Sequence, residues 1–514
     1  MADADLRIGI DVGGTNTDAV VLDPAGRVIA KAKRPTTPDV TEGLRAALDA
    51  VLAELEEPGE RVARVMLGTT HATNAVLERR GLGRVAVLRL GAPATTSVPP
   101  LTGWPDDLRK AVSAGEAVLP GGHYVDGREL APPALDAVRR FLDGAGAEAV
   151  AVTGVFSPAS GEHERLVGEL IRDEYGLPVS LSHEIGSLGL LERENATVLN
   201  AALYGVAAHV TGALTAALAE RGLGARPYLA QNDGTLMTLE HAARLPVATI
   251  GSGPANSLRG AAYLSGAADA IVVDVGGTST DLGVLSGGFP RESAAAVEIG
   301  GVLTNFRMPD ILAIALGGGT VVRERGLGPD SVGYRITEEA LVFGGGTATM
   351  TDAAVAAGRT PPHAPGWRVD TSETIADILQ RAVAAADGMI ADAVDRMALG
   401  RAGRPLVAVG GGAFVLPARV PGAGEVVRPE HAEVANAVGA AIALASGRVD
   451  TILPAGDSRS KAIERAKEEA AARAVAAGAD PSLVEIVDLL EVPLSYLSEP
   501  AVRVHVKAAG PLAR

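Results

Sequence analysis

An eight-residue stretch that occurs twice constrains this chain more than any other feature. Asp11-Val-Gly-Gly-Thr-Asn-Thr-Asp18 and Asp274-Val-Gly-Gly-Thr-Ser-Thr-Asp281 agree at seven of eight positions, 263 residues apart. A short apolar run precedes each copy (Ile8 to Ile10, Ile271 to Val273) and another follows (Ala19 to Leu22, Leu282 to Leu285). Each copy therefore predicts a β-hairpin with Gly-Gly-Thr at its tip. A repeated hairpin in a chain of 514 residues, too long for one core, predicts two related lobes.

The residue types suit one chemistry. Paired glycines let the backbone approach an anion closely, take up positive φ and turn several N–H groups toward it. Threonine and serine hydroxyls add donors. An aspartate at the end of the incoming strand repels phosphate but can hold Mg²⁺ or its waters, which bridge phosphate oxygens. Two facing hairpins would make a clamp for a nucleotide triphosphate. Neither copy has the GxGxxG spacing of a dinucleotide fold, and no GxxxxGK[ST] loop is present. A third cluster, Gly410-Gly411-Gly412-Ala413, follows the strand-like Leu406 to Val409. It suits either a base and ribose pocket or an ordinary strand-to-helix turn. Gly251-Ser-Gly-Pro254 opens a helical run and reads equally as an anion site or as a Pro-initiated helix.

Composition narrows the chemistry further. With no cysteine, disulfides, thiolate zinc and a cysteine nucleophile are excluded. A net charge of −16 and 3% aromatic residues argue against a nucleic-acid partner. The nine histidines show no metal-binding spacing. No apolar run is long enough to span a membrane, and the acidic start Met1-Ala-Asp-Ala-Asp-Leu-Arg7 lacks an export signal, so a cytoplasmic protein is expected.

Residues 41 to 55 have helical spacing, and runs at 84 to 90, 147 to 156 and 178 to 182 read as buried strands, predicting a mostly parallel α/β architecture. A helical stretch spans 192 to 222, with Glu192, Arg193, Glu194 and Asn195 expected as its solvated start and a role in the cleft as the alternative. From Asp457 to about Ala477 the chain reads as a charged helix, and 483 to 490 and 501 to 507 as strands. The expected division is a first lobe over 1–185, a second over 186–455 and a tail over 456–514.

Taken together, Gly9 to Thr15, Leu67-Gly-Thr-Thr-His-Ala-Thr-Asn74, Gly121-Gly-His123 with Asp126 to Leu130, Gly154 to Ser157, Gly251 to Pro254, Asp274 to Thr278, Thr304 to Asp310 and Gly328 to Tyr334 make the chain resemble the hydantoinase/oxoprolinase family. The resemblance covers nearly all of residues 5 to 450. It implies a two-lobed actin, sugar kinase and Hsp70-like fold of ribonuclease H-like α/β type. It also implies ATP-dependent opening of a cyclic amide such as a hydantoin, 5-oxoproline or another lactam, by phosphorylating the carbonyl oxygen. Related carboxylases use similar subunits to activate a ketone. Three departures stand out. The family's larger C-terminal domain shrinks here to the tail, His71 alters the usual GTTVATN-like segment, and Gly344-Gly-Gly-Thr347 lacks the aspartate of a GGDT pattern.

The resulting role assignment gives Asp11 and Asp274 the Mg²⁺ and catalytic positions. Gly13, Gly14, Thr15, Asn16 and Thr17, with Gly276, Gly277, Thr278, Ser279 and Thr280, would bind the triphosphate of ATP. Gly410 to Ala413 would hold adenosine. Thr69, Thr70, His71 and Asn74 are the substrate-side candidates, with a helix N-cap cluster as the alternative. Expected partners are a small cyclic amide, a hydantoinase B-type or other hydrolytic subunit, and further copies of the chain in a homo-oligomer. A small-molecule kinase and a regulatory ATPase remain as other readings of the same fold.

Overall fold

The computed structural model describes residues 5–14, 16–36, 40–56, 58–186, 188–293, 296–454, 459–494 and 501–513. Both copies of the repeat are antiparallel hairpins in the same register. Leu6–Val12 and Asn16–Leu22 place Asp11 opposite Asp18 and Val12 opposite Thr17; Ala270–Val275 and Thr280–Ser286 place Asp274 opposite Asp281 and Val275 opposite Thr280. The turns match as well, with Gly13 N donating to Asn16 O at 3.0 Å and Gly276 N to Ser279 O at 2.9 Å. A third strand then runs parallel to the first of each pair. Val62–Thr69 sets Gly68 beside Asp11, and Leu406–Val409 sets Val409 beside Asp274. The two lobes therefore repeat one βββ unit.

Both faces of these strands are covered, which is why they read as continuous apolar runs and not as alternating ones. Ile8, Ile10 and Val21 pack under Leu44 and Leu48 of the helix Val40–Leu52, while Val20 and Leu22 meet Val434 and Val438 on the other side. In the second lobe Ile271 and Val273 face Ile390 and Val394 of the helix Glu373–Ala398, and Val272 faces Leu258. The helices Ser252–Ser265 and Ala435–Ile442 cross between the lobes at glycines. A Cβ on Gly260 would lie 1.8 Å from Ala435 O and one on Gly439 1.9 Å from Asn256 O, so only glycine permits this approach.

The first lobe carries an inserted unit. Its four strands, Ser113–Pro120, Val85–Ala92, Ala149–Gly154 and Val179–Leu181, form an all-parallel sheet, which accounts for the strands expected near 84, 147 and 178. The central sheets of the lobes are mixed, with nine and six strands. The tail helix runs Arg459–Ala476, its expected start at Asp457 lying outside the described residues. The strands Glu485–Leu494 and Ala501–Gly510 extend the edge of the nine-stranded sheet beside Ala445–Pro454.

Two expectations are corrected. The helical stretch 192 to 222 is two helices, Leu190–Ala202 and Tyr204–Glu220, bent by 48° at Leu203. Its start is not solvated, because the first of these helices packs against the inserted sheet and Arg193, Glu194 and Asn195 are all buried. Arg193 donates to Gly154 O at 2.8 Å, Glu194 pairs with Arg89 at 2.6 Å, and Asn195 accepts from Trp104 Nε1 at 2.7 Å. A charged run is tolerated inside a protein when every charge has such a partner. Among the described residues no single helix is long and apolar enough to cross a membrane.

Candidate functional site

The two hairpins meet on one helix. Asn256 Nδ2 donates to Asp11 Oδ1 at 3.0 Å, and the next residue, Ser257, lies beside Asp274 and favours its charged form. Consecutive Cα atoms are about 3.8 Å apart, so the aspartates of both lobes converge within side-chain reach of one helical turn. Asn436, from the crossing helix, donates to Asp11 Oδ2 at 3.1 Å and to Asp18 Oδ2 at 2.9 Å. Lys33 Nζ pairs with Asp18 at 2.6 Å and its charge also reaches Asp274.

Four carboxylates thus share one cleft with Lys33 close by. Burial, opposed by the Asn256 hydrogen bond and reinforced by Asp18, pushes Asp11 up to about 6. Burial and the Asp274 charge push Asp281 up to about 7, and burial raises Asp274. Such a cleft favours a cation. Among the described residues no three His, Cys, Asp or Glu side chains cluster as a ligand set. A magnesium ion would therefore take its remaining ligands from water and phosphate, which is its usual habit. The residues fit that group.

The hairpin tips fit an anion, with changes of detail. Gly13, Gly14, Gly276 and Gly277 do not take up the positive φ expected of them. Their value is close approach: Gly318 N donates to Gly276 O at 2.9 Å and Gly319 N to Gly277 O at 2.7 Å, and a Cβ on Gly317 would lie 2.6 Å from Thr278 N. Gly14, Thr278 and Ser279 are exposed at the tips, and among the described residues the amides of Gly277, Thr278 and Ser279 carry no hydrogen bond. Thr17 and Thr280 are fully buried, and their hydroxyls bond Thr36 and Leu316 O, so they fasten the turns and face away from the cleft. Asn16 is half-buried beside the first turn. Thr15 lies outside the described residues.

Gly410 to Ala413 form the turn from Leu406–Val409 into a short 3₁₀ segment. Gly410 has φ 86°, and a Cβ there would lie 2.2 Å from Asp274 Oδ1, just as one on Gly68 would lie 2.2 Å from Asp11 Oδ1. Gly412 N donates to Val275 O at 2.8 Å, and Gly411 is exposed. These paired glycines leave room for the aspartates. Gly68→Ala should force the Asp11 carboxylate aside, costing about 1–3 kcal/mol of stability and most of any Asp11-dependent turnover. Denaturant unfolding beside a turnover assay checks this; an unchanged midpoint with full turnover would refute it.

The substrate-side candidates continue directly from Gly68. Thr69 lies opposite Val12, and both Thr70 N and Thr70 Oγ1 reach Val12 O at 3.3 Å. The helix His71–Glu78 starts there, yet Thr70 makes no side-chain cap bond. Thr69 Oγ1 bonds His71 Nδ1 at 2.5 Å, and Asn74 is exposed. Lys33, Asn256, Asn436 and Gly317 to Gly319 escaped the sequence reading. Asp18 and Asp281, as the last positions of the repeat, were the signal available for two of the four carboxylates.

A family model for the hydantoinase/oxoprolinase N-terminal region matches residues 7–175, and one for hydantoinase/oxoprolinase matches residues 193–448. The chain is 30% identical over 401 residues to the acetophenone carboxylase gamma subunit of Aromatoleum aromaticum, covering 70% of this chain and 54% of that protein. It is 29% identical over 399 residues to caprolactamase subunit alpha of Pseudomonas jessenii, covering 70% and 55%. It spans about half the length of these curated relatives. The crystal structure of ATP-dependent caprolactamase from Pseudomonas jessenii superposes with a TM-score of 0.77 at 21% identity, covering 99% of this chain and 88% of that one. At that identity the likeness establishes the shared fold.

Proposed function

The chain belongs to the hydantoinase/oxoprolinase family, and from that premise we propose that it is the ATP-using part of an enzyme that activates a cyclic amide for ring opening. The observation that carries this reading is the convergence of Asp11 and Asp274, from two matched hairpins, on the adjacent residues Asn256 and Ser257. Mg–ATP, when bound, supplies an electrophilic terminal phosphoryl group and the ion that balances its charge.

In this reading the free amides of Gly277, Thr278 and Ser279, with Gly14 from the other lobe, hold the phosphates. Asp11 and Asp274 hold the ion, directly or through water, and Lys33 offsets charge at the rim. Gly411, exposed on the turn Gly410 to Ala413, leaves a flat wall for adenosine. Thr69, Thr70, His71 and Asn74 start beside the first hairpin tip and orient the amide carbonyl toward the phosphoryl group. Phosphorylating that oxygen removes amide resonance and leaves an electrophilic carbon. Ring opening then falls to water activated here or in a hydrolytic partner subunit.

A second reading is favoured by the 30% identity to an acetophenone carboxylase subunit. The same residues would then activate a ketone oxygen for carboxylation. Both readings predict that ADP and phosphate release rises severalfold with the right carbonyl compound. The test is release measured against lactams, hydantoins and ketones, with and without a hydantoinase B-type protein. Stimulation by a lactam or hydantoin supports ring opening, stimulation by ketones alone moves the assignment to carboxylation, and a stable phosphorylated product in place of free phosphate would make the chain a kinase.

A further inference from the structure

One cavity, of about 260 Å³, lies away from the hairpin cleft. None of the repeat residues and none of Thr69 to Asn74 lines it. It opens where His183 to Gly186 follow the carboxyl end of the strand Val179–Leu181, against the first-lobe sheet and the tail. Crevices at the carboxyl ends of parallel strands are where α/β proteins commonly bind ligands.

The wall has two characters. Arg244, Arg307, Arg448 and Arg473 reach it, against two carboxylates, Glu184 and Asp450. Asp450 is already held by Arg503 at 2.8 Å, Arg448 faces Asp233 at 3.3 Å, Arg307 faces Glu292 at 3.4 Å and Arg473 pairs with Glu469, whereas the contact of the largely exposed Arg244 with Glu184 is a loose one at 3.5 Å, which leaves Arg244 the most available of the four. The other side is apolar, with Ile185, Leu245, Val247 and Phe306. His505 also lines the cavity; it is 2% exposed, and neither ring nitrogen has a hydrogen bond, the nearest carboxylate oxygens lying at 3.6 and 3.7 Å. A buried imidazole without a hydrogen bond marks a place where a polar ligand atom is wanted.

We propose that this cavity is a binding site, separate from the hairpin cleft, for a small organic anion: a monocarboxylate with a short apolar body. Guanidinium groups take a carboxylate bidentately, the buried His505 ring offers one further N–H, and Phe306 and Leu245 accept the apolar body. The volume lies just below the usual range for ligand sites, about 300–1,000 Å³, which limits the guest to a small molecule. His241, also in the wall, reports the field inside. Burial and the charges of Arg244, Arg473 and Arg448 hold it neutral, down to about 4.

Isothermal titration of the full chain with pentanoate and with benzoate, each against its neutral amide, tests this. Saturable binding of at least one acid is expected, at least tenfold tighter than its amide and without displacement of a fluorescent ATP analogue. Replacing Arg244 and Arg473 together by Gln should weaken that acid tenfold or more while the ATP analogue binds as before, and His505→Gln should weaken it independently. The proposal is overturned if neither acid binds, if acid and amide bind alike, if the acid competes with the nucleotide, or if the Arg244 and Arg473 variant keeps full affinity. The comparison of acid with amide on the unaltered protein stands even if a variant folds poorly.

Discussion

Asp11→Asn is expected to lower Mg-dependent ATP turnover by roughly a hundredfold or more, about 2.7 kcal/mol of transition-state stabilisation, and at the same time to make the protein more stable near neutral pH. The second half follows from linkage. The folded-state value of Asp11, about 6, lies above its ordinary 3.8. Its contribution to stability is therefore fully present below about pH 4 and is lost as pH rises through 6. At pH 7 and above the native state carries the whole penalty of a buried carboxylate, at most about 3 kcal/mol. Asparagine removes it. The hydrogen bonds can be rebuilt: its Oδ1 still accepts from Asn436, and its Nδ2 can donate to Asn256 Oδ1, which is buried without a partner, once that amide flips. Denaturant unfolding at pH 4 and pH 8 should show the variant's advantage only at the higher pH. Binding of a fluorescent ATP analogue should persist. A variant that keeps more than about a tenth of turnover, or that loses stability at pH 8, would remove Asp11 from the ion-holding role.

The same residue shows what could be read from the sequence and what could not. Asp11 was identifiable because its surroundings recur at Asp274, and a repeat of seven residues in eight carries information that neither copy has alone. The strands were identifiable because both their faces are covered, leaving apolar runs such as Ile271 to Val273. The groups that tune Asp11 were not. Asn436 is 425 positions away and Asn256 is 245 away, and a lone asparagine in a helix has no pattern of its own. Lys33 is one of two lysines on its strand, and only the pairing of that strand with Asp18 brings it into the cleft. Gly317 to Gly319 read as another loop until the amides of Gly318 and Gly319 are seen to brace the second hairpin. Local rules placed elements; contacts across hundreds of residues placed the chemistry.

The pair Arg89 and Glu194 is the case where local reading pointed the wrong way, and breaking it should have the largest effect on stability. Glu194 lies among charged neighbours near the start of its helix, which reads as surface, yet both side chains are fully excluded from solvent. Arg89 Nε donates to Glu194 Oε2 at 2.7 Å and Nη2 to Oε1 at 2.6 Å, while Nη1 donates to Thr95 O and Val98 O. The pair pins the strand Val85–Ala92 of the inserted sheet to the helix Leu190–Ala202. Glu194→Ala leaves the guanidinium buried without its counter-charge, which costs about 3–5 kcal/mol, a large share of the roughly 5–15 kcal/mol that holds an ordinary domain folded. Arg89→Met should cost a similar amount by stranding the carboxylate. The double variant Arg89→Met with Glu194→Leu should recover most of the loss, because an apolar pair of similar volume has no charge to desolvate. Denaturant midpoints for the two single variants and the double variant give the coupling directly. Single-variant costs below about 1 kcal/mol, or a double variant as weak as the sum of the singles, would mean that the pair does not hold the inserted unit to the first lobe.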